Sequence, residues 1–84
     1  MQHYLILCRS LTYAQRASAA LERAGVTAPI ARAPREIKSE GCGYCVKVAP
    51  RRFRDALSVL TKAGVPYGRL FRQEDDGGYA EVTP

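Results

Sequence analysis

Leu21-Glu22-Arg23-Ala24-Gly25-Val26 and Leu60-Thr61-Lys62-Ala63-Gly64-Val65 are two versions of one phrase. They lie 39 residues apart, 60 less 21. Each closes an apolar pattern of helical period with a glycine, the residue that most readily ends a helix. Before the first, Tyr13, Ala17, Ala20, Leu21 and Ala24 recur at helical spacing. Before the second, Phe53, Ala56, Leu57, Leu60 and Ala63 do the same. The same offset carries residues 5–8 onto 44–47, and both stretches read as strands. His3-Tyr4-Leu5-Ile6-Leu7-Cys8 is almost wholly apolar, as a buried central strand is. Tyr44, Val46 and Val48 alternate with Cys45 and Lys47, which predicts a strand with one buried face.

The connections complete two strand–helix–strand halves. Thr12 with Gln15 three residues on predicts a capping box at the first helix. Residues 27–33 read as a weaker strand, and Pro29 places it at a sheet edge. Pro50 suits the start of the second helix, where a missing N–H costs nothing. Pro66 and Gly68 form a turn into a last strand over residues 69–73. The order is βαββαβ. Right-handed crossovers turn it into an α+β ferredoxin-like plait: a four-stranded antiparallel sheet with two helices on one face. In its usual order, 4-1-3-2, strands one and three are central neighbours. The expected core contains Leu5, Leu7, Leu21, Val46, Val48, Phe53, Leu57 and Leu60, with the facing of the first strand left open. Residues 1–73 form a single domain on this reading. Residues 74–84, opening with Glu74-Asp75-Asp76-Gly77-Gly78, read as an acidic, mobile tail.

Composition narrows the function. The chain has 84 residues, 46% of them hydrophobic and 25% charged, which fits one globular domain. No apolar run approaches the ~20 residues of a membrane helix. The opening run lacks the basic start and small-residue cleavage site of a secretion signal, so a cytoplasmic protein is expected. The formal charge is +5, and it is concentrated. Arg32, Arg35, Lys38, Lys47, Arg51, Arg52 and Arg54 face only Glu36 and Glu40 in their stretch. Such a patch meets nucleic acid, an acidic protein or a small anion. Residues 43–48 hold one aromatic, too few for the stacking platform of an RNA-binding plait, so nucleic acid is an unfavoured partner.

Three cysteines are too few for a disulfide framework. The plait topology nevertheless gathers them. The end of the first strand, Cys8, lies beside the start of the third, Tyr44 and Cys45. The 34–43 loop carrying Cys42 returns to the same end, as does the first helix near Thr12. Arg9, Arg35 and Lys38 belong there too. Cations and a helix N-terminus favour thiolate over thiol. Cys42 stands between Gly41 and Gly43 in a loop that offers sulfur no packing role. Cys8 reads as a small buried hydrophobe, and Cys45 as facing the open side of the sheet. Cys42-Gly43-Tyr44-Cys45 has C-x-x-C spacing, but a strand follows it rather than the helix of a redox motif. It lacks a partner pair for zinc, and His3 is at the far end of its strand, so no metal is expected. Nor do the residues assemble a hydrolytic triad or a P-loop.

Pro34-Arg35, Ser39 and Cys42-Gly43, with the Ser10/Thr12 helix start and Ala24-Gly25, resemble the pattern of the DUF3343 family of selenium/sulfur carrier protein-like domains. The resemblance covers nearly the whole chain. It implies that Cys42 carries sulfur or selenium as a persulfide or perselenide, with Arg35 as neighbour; Gly43, Cys45, Lys38, Ser39 and Thr12 are the further supporting candidates at this edge. It implies a carrier rather than an enzyme, without cofactor. Its partners would be a cysteine desulfurase or other selenium/sulfur donor and an acceptor protein. Arg51-Arg52 and Cys45 depart from the family pattern, and Cys45 leaves open an internal disulfide. The alternative is a ligand-sensing or protein-interaction module with incidental cysteines. The first strand is apolar on both faces, which points to a homodimer or a ligand on the side away from the helices.

Overall fold

The computed structural model describes residues 3–37 and 43–84. Strand β1, Tyr4–Cys8, leads through a two-residue bend to helix α1, Leu11–Arg23. Strand β2, Ile30–Arg32, is followed by a 3-10 turn, Arg35–Ile37. Strand β3, Tyr44–Val48, enters helix α2, Phe53–Ala63, through a second 3-10 turn, Pro50–Arg52. Strands β4, Leu70–Gln73, and β5, Tyr79–Val82, complete the sheet.

The repeated phrase is a pair of matching helix ends. Gly25 and Gly64 adopt φ of 83° and 71°, in the left-handed region. The Val26 N–H donates to the Leu21 carbonyl at 2.8 Å, and the Gly25 N–H to Glu22 at 3.0 Å. Val65 to Leu60 at 3.0 Å and Gly64 to Thr61 at 3.2 Å repeat this pairing. Both are Schellman ends, which satisfy the last helical carbonyls and bring two apolar residues together across the glycine. Leu21, Val26, Leu60 and Val65 are all buried. The phrase Leu-x-x-Ala-Gly-Val thus fixes where each helix stops and which residue dives back into the core.

At the other end of α1, Ser10 is the cap instead of Thr12. Ser10 has extended backbone, φ −155° and ψ 172°, and its hydroxyl accepts from the Tyr13 N–H at 3.4 Å. An extended cap residue whose oxygen turns back over the first turn is the usual N-cap geometry. Thr12 falls inside the helix and is exposed.

The strand order is β2-β3-β1-β4-β5, all antiparallel. The central pair β1–β3 and the edge position of β2 are as the plait requires. Among the described residues the sheet has five strands, however, not four. Residues 79–82, expected in a mobile tail, pair with β4 from Leu70↔Val82 to Gln73↔Tyr79. The acidic, glycine-rich stretch is the hairpin turn between them. The Glu74 N–H donates to Gly78 at 2.8 Å, and the Asp76 carboxylate accepts from the Gly78 N–H at 2.8 Å. Such Asx turns explain why Asp and Gly cluster at reversals as well as in tails. The Arg69 guanidinium adds a two-pronged ion pair to Glu81, at 2.7 and 2.9 Å.

Both helices cover one face. Ile6 and Cys8 of β1 pack there with Ala17, Leu21, Val46, Leu57 and Leu60. The other face has its own cluster: Leu5, Leu7, Cys45, Phe71 and Ile37, flanked by Ala31, Ala33 and Tyr79. Every expected core residue is buried, but Leu5 and Leu7 belong to this second layer. The apolar back of β1 is therefore covered by the chain's own Ile37 and Phe71. It supplies no argument for a dimer or a ligand.

An added Cβ at Gly25 or Gly64 meets nothing within 4 Å, so only backbone strain opposes a side chain there. Gly25→Ala and Gly64→Ala should each lower stability by about 1–2 kcal/mol, the left-handed penalty of an L-residue. Urea unfolding should show a shifted midpoint with an unchanged slope.

Candidate functional site

The C-terminal end of β1 is where the sequence places its chemistry. Register brings Cys8 opposite Tyr44 and Leu7 opposite Cys45. On the far side of β3, Ala31 faces Cys45 and Arg32 faces Tyr44. The ladder continues one step further, where the Ala33 N–H donates to the Gly43 carbonyl at 3.0 Å. Gly43 is thereby pinned at the sheet end, where β1 gives way to Arg9, Ser10 and the start of α1. Its φ is not left-handed, and an added Cβ would be unobstructed. Gly43 is held by its backbone bond, not by any need to be glycine.

Leaving β2, the chain makes the Arg35–Ile37 turn, closed by the Ile37 N–H on the Pro34 carbonyl at 3.1 Å. Ile37 is buried against the second core layer, while Arg35 and Glu36 remain exposed. Burying one isoleucine contributes about 1.5–3 kcal/mol, enough to moor this end of the connection to β3. Lys38, Ser39 and Cys42 lie outside the described residues.

Cations ring this end of the sheet. Arg9 and Arg16 lie over the Tyr13 ring, 5.8 and 5.4 Å from its centre. Arg32 lies over the Tyr44 ring at 5.4 Å and donates to the Tyr44 hydroxyl at 3.3 Å. Stacking on an aromatic face orders a guanidinium without neutralising its charge. The first turn of α1 holds no acidic residue. The site therefore presents positive charge from three segments. Sequence reasoning named Arg32 only within the basic patch and Tyr13 and Tyr44 only as parts of a helix and a strand, and it missed Arg16 and both ring contacts. Tyr13 and Arg16 stand at the i,i+3 spacing of helical neighbours, so that pair was open to reading. The Arg32–Tyr44 pair needed the β2–β3 register.

The two described thiols differ from each other in setting. Cys8 is buried on the helix side and donates to the Ile6 carbonyl at 3.6 Å. Cys45 is buried on the opposite face, beside Leu5, Leu7, Ile37 and Phe71. The sheet itself separates Cys8 from Cys45. Burial pushes the Cys45 thiol above its ordinary value, partly countered by Lys47. Among the described residues, no group of three His, Cys, Asp or Glu side chains is placed to hold a metal.

The family model described as "Putative Se/S carrier protein-like" matches residues 3–72. The chain belongs to that family. No curated protein and no solved structure matches it. The matched span runs from β1 into β4 and takes in residue 42, Arg35 and the whole cation-ringed end. It ends before β5. No helix among the described residues is long and apolar enough to cross a membrane.

Cys8 and Cys45 should resist alkylation in the folded protein and react only on unfolding. A raised thiol pKa means that the folded state holds its proton more tightly than the unfolded chain. The stability from buried Cys45 is thus full below the ordinary thiol value of 9.0 and is lost as pH rises beyond it. Urea midpoints across that range should fall more steeply for the native chain than for Cys45→Ala.

Proposed function

We propose that the protein is a carrier of sulfur or selenium, loaded and unloaded by other proteins, with Cys42 as the carrying thiol. The observation that supports this most strongly is the family match across residues 3–72. The chemistry of the sheet end agrees with it. Cys42 is bonded to Gly43, and Gly43 is fastened to β2 at the end where Arg9, Arg32 and Arg35 emerge. A persulfide carries negative charge near neutral pH, and cations with free N–H groups favour it.

Loading is a thiol exchange. The Cys42 thiolate attacks the outer sulfur of a donor's cysteine persulfide. The new S–S bond forms on Cys42 as the donor's S–S bond breaks, and the donor leaves as a thiolate. No external oxidant or reductant is consumed. Selenium follows the same bond changes from a donor selenium atom. Unloading reverses the roles with an acceptor nucleophile. Cys45 does not compete in this arrangement, because it stays protonated and buried in the second layer. The reading as a binding module with incidental cysteines rested on the uncovered back of β1, which Ile37 and Phe71 fill.

Incubation with a cysteine desulfurase and cysteine should add one sulfur to Cys42, located by mass spectrometry. Cys42→Ala should abolish the adduct, whereas Cys45→Ala should retain it. Arg35→Ala should slow loading about two- to fivefold, the effect of one exposed charge contact of roughly 0.3–1 kcal/mol. Loading that persists in Cys42→Ala would overturn the assignment.

A further inference from the structure

At the opposite end of the sheet, a cleft of about 230 Å³ is lined by Tyr4, Pro50, Arg51, Phe53, Arg54, Val82 and Thr83. Tyr4 pairs with Val48, four residues from the Cys8–Tyr44 pair. At about 3.3 Å per residue the two ends are roughly 13 Å apart along β1. We propose that this cleft binds the phosphate group of a small molecule, with an apolar or ring-shaped remainder lying against Tyr4 and Phe53.

The cleft has an aromatic wall and a cationic mouth. The Tyr4 and Phe53 rings are stacked at a tilt of 32°, with centres 4.3 Å apart. Arg72, opposite Tyr4 in the β1–β4 register, is fixed by Glu74 at 3.0 Å. Arg51 and Arg54 are exposed, and neither is ion-paired among the described residues. Arg52 between them is taken by Asp55 at 3.5 Å. The Pro50–Arg52 turn holds no acidic residue, and no side chain caps it or α2. Arginines at a helix start oppose the helix dipole, each at a cost of a few tenths to about 1 kcal/mol. A local arrangement that works against the fold is where function is expected. An anion between Arg51 and Arg54 would reverse the sign of that interaction. Two guanidinium forks suit the several oxygens of a phosphate.

Size and wall favour a phosphate group on a small stem. The volume lies below the roughly 300–1,000 Å³ of clefts that enclose drug-sized ligands, so a single head group with a short stem fits. Val82 ends β5 and Thr83 follows it, both outside the residues matched by the family. The cleft is therefore a property of this chain's fifth strand as well as of the shared plait. It shares no residue with the Cys42 end, so sulfur loading and phosphate binding stand or fall separately.

The test is titration of the full chain with inorganic phosphate and with phenyl phosphate, at constant ionic strength set with chloride, followed by proton–nitrogen correlation spectra. Saturable shifts are expected at Arg51, Phe53, Arg54, Val82 and Thr83. Arg51→Ala with Arg54→Ala should weaken binding about tenfold or more, the worth of one to two charge-assisted contacts. Arg23→Ala with Lys62→Ala removes the same charge elsewhere and should leave binding unchanged. Tighter binding of phenyl phosphate assigns an ester. Equal binding assigns the free anion to the same site. Three outcomes overturn the proposal: shifts that never saturate, equal weakening in both double variants, or a site that takes a glutamate-rich peptide and no phosphate.

Discussion

The antiparallel pairing of β1 with β3, from Tyr4↔Val48 to Cys8↔Tyr44, is the constraint on which the rest depends. A slip of one residue would turn every side chain of one strand to the other face. Here the register puts Ile6 and Val46 together under the helices. It puts Leu7 opposite Cys45 on the back. It also brings the exit of β1 level with the entry of β3, so α1 begins where the 34–43 connection ends. The cation-ringed end exists only because these two strands are neighbours running in opposite directions.

Burial on both sides follows from that register and sets the fate of the thiols. The helices fill one face with alanines, valines and leucines, and the small α1 residues Ala14 and Ala17 let helix and sheet approach closely. Among the described residues the other face has no α-helix. Ile37 from the connection and Phe71 from β4 cover it instead. Cys8 and Cys45 are each drawn into one of these layers, and burial favours the thiol form of Cys45. Of the three cysteines the sequence gathers at one edge, Cys8 and Cys45 are buried on opposite faces of the sheet.

Charge is arranged differently at the two ends. At the β1 exit, guanidinium groups rest on tyrosine rings and keep their charge for the solvent side. At the α2 start, three arginines crowd one turn against a single aspartate. On the β4–β5 hairpin, by contrast, the ion pairs are closed. Arg69 holds the Glu81 carboxyl below its ordinary range, and Arg72 is paired with Glu74. The hairpin arginines are thus paired, whereas Arg9, Arg32, Arg51 and Arg54 at the two ends of the sheet make no ion pair among the described residues.

Sequence alone determined the repeat, the element types and their order, because these follow from local rules. Period-two and helical spacing mark strands and helices, and Leu-x-x-Ala-Gly-Val encodes a helix end through the freedom of glycine. The family pattern around Pro34-Arg35 and Cys42-Gly43 was readable for the same reason, since a motif is a local string. Tertiary structure decided what local strings leave open. An apolar run such as Leu5-Ile6-Leu7 has no polar side to reveal its facing, so only packing assigned Ile6 to the helices. Glu74-Asp75-Asp76-Gly77-Gly78 has the composition of both a tail and a turn, and the choice was made by Tyr79–Val82 finding the open edge of β4. The contacts of Arg32 with Tyr44 and of Tyr4 with Phe53 join residues remote in sequence. They arise from register and packing, which no window along the chain contains.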